Sequence, residues 1–246
     1  MSLHNRLPQV LNESVLDIKL KHRLLQWANE DLFASFLNSN LNKITAKLRG
    51  ASEIEDQRDV GLELFVARIF LLSGCDVIYE PSKKGPDLLL ELGYEKYYCE
   101  VRRIRENLPE SATGILSFNP RDFRKIGDII CEKFLQLEIL QPNLLYIRSN
   151  RLLIAKEYLH DAMRNLFNMA DAGNSDFFID KGFDGERDFL ERASYCSAIV
   201  IEDLWSKKDE EELFESICLN RKAHVSVSPE MLEVIQKAIK IPFTAK

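Results

Sequence analysis

The segment GPDLLLELGYEKYYCEVRR, residues 85–103, decides how this chain is read. Apolar residues on either side of Gly93 recur with the period of strands. DLLLEL (87–92) and YYCEVRRI (97–104) therefore read as neighbouring strands joined by the tight turn GYEK (93–96). CDVIYE (75–80), across the loop PSKKGP (81–86), supplies a third strand and makes a meander. Asp87 opens one strand and Glu100 sits mid-strand on its hairpin neighbour, so the two carboxylates converge at one end of the sheet. Arg102, two residues on, shares the face of Glu100, about 7 Å further along.

Two such acids suit a hard divalent cation. Mg²⁺ prefers oxygen ligands, keeps several waters and adds phosphate oxygens to its shell, while lowering the pKa of a bound water. A third acid lies upstream, on a helix that starts with Ser52 and Glu55 in capping-box spacing and stops at Gly74. Val60, Leu64, Ala67 and Leu71 make its buried stripe, and Glu63 stands beside that stripe. Each acid also has a purely structural reading: Glu63 paired with an arginine, Asp87 as a turn residue after Pro86, Glu100 in an ion pair with Arg102 or across the strands.

Outward from this centre, residues 12–27 and 30–48 have helical spacing, with Asn12 and Asp31 as candidate caps. They are read as an N-terminal helical arm over residues 1–50, packed on the core or on a second copy of the chain as a homodimer contact, and residues 51–246 as the core with a C-terminal elaboration. Asn119 and Pro120 open a helix running to about residue 138. NLLYIRS (143–149) reads as a buried strand, 155–170 as a helix, CSAIVIE (196–202) as a strand, and Ser228-Pro229 as the start of a last helix. This order predicts an α/β fold, a mixed sheet flanked by helices.

Composition bounds the partners. An apolar fraction of 46% is that of a globular protein, no run is long enough for a membrane span, and no signal peptide is read at the N-terminus, so a cytoplasmic location is expected. The five cysteines are odd in number and lack a CxxC pair, which favours reduced thiols, and the four histidines show no metal-ligand spacing. A net charge of −6 argues against broad nonspecific coating of nucleic acid, although Arg102, Arg103, Arg105, Arg121, Arg124 and Lys125 gather into a local basic cluster. Tyr97 and Tyr98 read as sheet packing, and SKKG (82–85) lacks the spacing of a Walker loop.

Glu63 on a helix, then Pro86-Asp87, then Glu100-Val101-Arg102 on the next strand, resembles the PD-(D/E)xK nuclease superfamily over about residues 52–150. The resemblance implies a restriction-endonuclease-like fold and Mg²⁺- or Mn²⁺-dependent hydrolysis of phosphodiesters in DNA or another nucleic acid. Asp87 and Glu100 would be metal ligands and Glu63 an auxiliary one. The departure is Arg102, where the family places lysine. Lysine can lose its proton and orient a water, whereas arginine stays charged and donates in a planar fork. Lys125, then Lys133, Lys83 or Lys84, are the candidates to stand in. A catalytically inactive binding or assembly module on the same scaffold is the alternative.

Overall fold

A computed structural model describes residues 17–82, 85–105, 120–149, 156–203 and 217–241. Three helices lead: α1 (Ile18–Trp27), α2 (Asp31–Gly50) and α3 (Ile54–Leu72). A sheet then begins with β1 (Asp76–Tyr79), β2 (Leu88–Leu92) and β3 (Glu95–Ile104). Helix α4 (Pro120–Phe134) leads to β4 (Asn143–Ser149), and α5 (Lys156–Asp171), α6 (Ser175–Asp180) and α7 (Glu186–Tyr195) lead to β5 (Cys196–Asp203). The short β6 (Ile217–Leu219) and α8 (Pro229–Ala238) close the described chain.

The protein is therefore α/β, with a six-stranded mixed sheet in the order β1-β2-β3-β4-β5-β6. Strands β1 to β3 form the antiparallel meander, β3, β4 and β5 run parallel, and β6 returns antiparallel. Parallel strands need crossovers, and helices α4 to α7 supply them on one face of the sheet. The central strands are buried on both faces, as their near-continuous apolar runs require. Leu144 and Tyr146 belong to the core beneath α1, α2, α3 and α8, whereas Leu145 and Ile147 belong to the core beneath α4, α5, α6 and α7.

Helices α1 and α2 turn their apolar stripes into this chain's own first core, where Leu20, Leu24, Trp27, Phe33 and Phe36 pack with residues of α3. In the second core Phe178, Phe183 and Phe189 form an aromatic group, with Phe178 stacked on Phe189 at 4.5 Å. Helices α6 and α7, which carry Phe178 and Phe189, and strand β6 are not among the elements expected from periodicity. Helix α6 and strand β6, of 6 and 3 residues, are too short to show a repeat, and α7, although 10 residues long, buries only Phe189, Ala193 and Tyr195.

Two capping expectations fail. Helix α3 begins after Glu53 with no side-chain cap, because Glu55 bonds to Arg103 at 2.5 Å and to Arg58 at 2.6 Å instead of to backbone amides. Charge-assisted bonds of this kind are stronger than a neutral cap bond. Asp31 lies inside α2, whose N-cap is Glu30, and Glu30 is bound to Arg68 at 2.5 Å. The Ser228 cap forms, its hydroxyl accepting from the Met231 amide at 3.1 Å, and Gly74 ends the α3 connection at φ 103°, where a side chain would be strained. Asn12, Lys83, Lys84 and Asn119 lie outside the described residues. Among those described, no helix is long and apolar enough to cross a membrane.

Because α1 and α2 share a core with α3, Phe33→Ala should destabilise the whole protein by about 3–5 kcal/mol. Urea denaturation should show one transition, coincident by tryptophan fluorescence and far-ultraviolet circular dichroism. A core transition left unmoved by the substitution would mean that residues 18–50 fold as a separate arm.

Candidate functional site

The site begins with a mismatch of strand lengths. Strand β2 pairs with β3 only as far as Leu88 opposite Cys99, while β3 continues to Ile104. Beyond Cys99 the β2-side edge of β3 would have an unsatisfied amide at Val101, and the Asp87 carboxylate accepts it through Oδ2 at 2.9 Å. Asp87 thus takes the place of a strand partner and is held rigidly in the notch.

Glu100 projects from β3 toward α4 and is 3% exposed. Its Oε2 receives Lys133 Nζ of α4 at 2.7 Å, and Lys133 also donates to Gln136 at 2.7 Å. Arg102, on the same face, donates to Glu132 at 3.1 Å, one helical residue from Lys133. Its Nε is buried and has no hydrogen-bond partner. From the opposite face α3 delivers Glu63, whose Oε2 accepts from the Tyr79 hydroxyl at 2.8 Å and from Lys47 Nζ of α2 at 2.7 Å. Lys47 also lies 2.9 Å from Glu80 and 3.8 Å from Asp87. A cavity of about 130 Å³ is lined by Glu63, Asp87, Arg102, Lys133 and neighbours including Asp59 and Arg103, with Glu100 and Lys47 outside the lining.

The electrostatics follow from burial. Burial pushes the Glu63 carboxyl up to about 7, with Asp87 adding to the rise and Lys47 and Tyr79 opposing it. Glu100 is likewise raised to about 7, first by burial; Lys133 lowers it and Asp87 raises it. Burial works against the Lys47 charge, yet Glu63, Glu80 and Asp87 outweigh it and hold its pKa above the ordinary lysine value. In both Glu63 and Glu100 burial is the largest cause, so the raised values reflect loss of hydration first and the neighbouring Asp87 charge second or third.

Sequence reading placed Glu63, Asp87, Glu100 and Arg102 together; in the fold Glu63, Asp87 and Arg102 line one cavity, and Glu100 is not part of that lining but is bonded to Lys133, which is. Lys125 lies on α4, but its side chain is outside what the structure describes; Lys133 is the helix lysine that reaches Glu100. Lys47, Tyr79 and Glu80 were not foreseen. The signal for Lys47 was the one that marked Glu63: a charge beside a buried stripe, here Ile44 and Leu48. Of the expected basic cluster, Arg102, Arg103 and Arg105 are ion-paired, and the side chains of Arg121, Arg124 and Lys125 are outside what the structure describes. Arg103 bonds to Asp59 at 2.8 Å and to Glu55, and Arg105 bonds to Asp56 at 2.6 Å and to Asp59.

Among the described residues no three of histidine, cysteine, aspartate and glutamate are grouped as a ready metal cage. The acidic donors are hard oxygens, two of them, Glu63 and Asp87, in one cavity, which fits the mode of Mg²⁺ that uses one or two carboxylates, waters and substrate phosphate. They do not fit an all-protein cage. Comparison with family models, with curated proteins and with solved structures found no match.

The raised carboxyls make the metal-free protein pH-dependent. Their ordinary value in the unfolded chain is 4.5 and their folded value about 7, so the native state binds protons more tightly. Stability should be greatest near the lower value, fall as pH rises from about 4.5 to 7, and level off above; the penalty is up to about 3 kcal/mol per carboxyl. Urea midpoints measured in EDTA between pH 5 and 8 should fall in this way, and less steeply in Glu63→Gln. A rise across that window would contradict the assignment.

Proposed function

We propose that this chain is a metal-dependent phosphodiesterase of the PD-(D/E)xK kind with a restriction-endonuclease-like core, acting on nucleic acid, and that Lys133 supplies the lysine its strand motif lacks. The observation that carries the reading is the cavity beside β3 lined by Asp87, Arg102, Lys133 and Glu63, with Glu100 bonded to its Lys133 at 2.7 Å. Bound Mg²⁺ or Mn²⁺ would supply Lewis-acid stabilisation of the phosphoryl group and a more acidic water.

The chain's own residues do the rest. Asp87 is oriented by the Val101 amide through Oδ2, and its Oδ1, 3.8 Å from Lys47, would be the oxygen offered to the ion; Glu100 would be the second ligand and Glu63 the auxiliary one. Lys133 keeps Glu100 in place, and its compact ammonium suits the positioning of an attacking water. Arg102 has a buried Nε donor to offer a phosphoryl oxygen, where a fixed dipole aimed at developing charge is most effective. With Arg103 and Arg105 neutralised, engagement of the substrate would be local. The five free cysteines accord with a cytoplasmic setting.

A second reading is favoured by one observation. Glu63 and Glu100 each have a lysine at 2.7 Å, so the carboxylates already possess counter-ions, as a catalytically silent binding or assembly module would.

With linear or plasmid DNA and Mg²⁺ or Mn²⁺, purified protein should cleave, and Asp87→Ala or Glu100→Gln should lower the rate by about 10³-fold or more. Lys133→Met should lower it by about 10²–10⁴-fold. Removing one partner of a buried pair can unfold the site, so Lys133→Arg, which keeps the charge, should fold yet remain slow. Absence of cleavage on DNA and RNA, together with Mn²⁺ affinity unchanged by Asp87→Ala, selects the silent module.

A further inference from the structure

Helix α2 reaches the loop between β1 and β2 with two lysines one turn apart. Lys43 Nζ donates to the carbonyls of Tyr79 and Glu80, both at 2.9 Å, and the Glu80 amide donates to the Asp87 carbonyl at 2.8 Å. These bonds hold Glu80 at φ 43°, a left-handed conformation uncommon outside glycine. Such conformations persist where surrounding contacts enforce them, and they concentrate at functional sites. Here the turn aims the Glu80 carboxylate at Lys47, so the ammonium stands 2.7 Å from Glu63, 2.9 Å from Glu80 and 3.8 Å from Asp87.

We propose that Lys47 is the resident cation of the candidate site and Glu80 its alternative seat: entry of a divalent ion displaces the ammonium from Glu63, and Glu80 retains it. This rests on the metal-dependent reading above. An ammonium and a divalent cation repel and compete for the same oxygens, so both cannot be bound to Glu63 at full strength. The two carboxylates differ in the way such an exchange needs. Glu63 is 10% exposed and Glu80 32%, so the ammonium moves outward to a better-hydrated partner and leaves the buried oxygens to the ion. Glu63 keeps its orientation after Lys47 departs because the Tyr79 hydroxyl still donates to it at 2.8 Å. Asp87, at the longer distance, is the acid least engaged by the lysine.

Mn²⁺ titration of the full chain, followed by electron paramagnetic resonance and by thermal melting, tests the relay without an activity assay. Lys47→Met should bind Mn²⁺ about tenfold more tightly than the parent, and in EDTA it should melt lower. Glu80→Gln should bind about tenfold more weakly, but within the Lys47→Met background its effect should shrink to less than about threefold, the non-additivity of a coupled pair. Should Lys47→Met fail to fold, Lys47→Gln carries the same expectation. Equal effects of Glu80→Gln in both backgrounds, or no tightening in the Lys47 variants, would overturn the relay and leave the metal site standing. If neither parent nor variants bind Mn²⁺, the relay and the metal-dependent reading fall together.

Discussion

Where β2 stops and β3 runs on, the Val101 amide lacks a strand partner and the Asp87 carboxylate accepts it instead. A buried amide left unsatisfied costs about as much as a lost hydrogen bond, so this one contact pins an acid at the sheet edge and keeps the notch open. Everything else at the site is arranged around it. Glu100 is one residue from that amide, α3 brings Glu63 to one side, and α4 brings Lys133 to the other. The strand mismatch is thus both a packing feature and the origin of the cavity.

Charge balance is the second constraint. Burying carboxylates in a sheet between two apolar cores is costly unless cations accompany them. The fold meets this with lysines delivered from helices: Lys133 for Glu100, Lys47 for Glu63. Lysine suits the task because its compact ammonium can be shared among several oxygens, as Lys47 is among three acids. Arginines do a different job a few residues further on. Arg103 and Arg105 span Glu55, Asp56 and Asp59, fastening the end of β3 to the first turns of α3. Glu55 is thereby removed from the amides of α3, and Arg103 and Arg105 of the basic cluster become a seam between β3 and α3.

Much of this molecule was legible along the chain. Short apolar runs bounded by turn residues located β1 to β5, NLLYIRS matching β4 residue for residue, and Pro-Asp followed by Glu-x-Arg across a tight turn placed Asp87, Glu100 and Arg102 toward one end of a hairpin. Glu63 was marked by its seat beside an apolar stripe. These are properties of neighbours, since side-chain direction in a strand or helix is set by a repeat of two or 3.6 residues. The sequence by itself therefore determined strands β1 to β5, the longer helices and the placing of Asp87 and Glu100 on neighbouring strands.

Tertiary structure decided which cation meets which acid. Lys47 and Glu63 are 16 residues apart, Lys133 and Glu100 33, and Arg103 and Asp59 44, separations over which no local period carries information. It likewise decided that helices 18–50 share the main core, and that Glu55 serves an arginine and not a helix end. The physical reason is common to all three. Ion pairs and core contacts are chosen by what lies within a few ångströms after folding, and among many lysines, arginines and acids of one chain only the packed arrangement of helices on the sheet makes that choice.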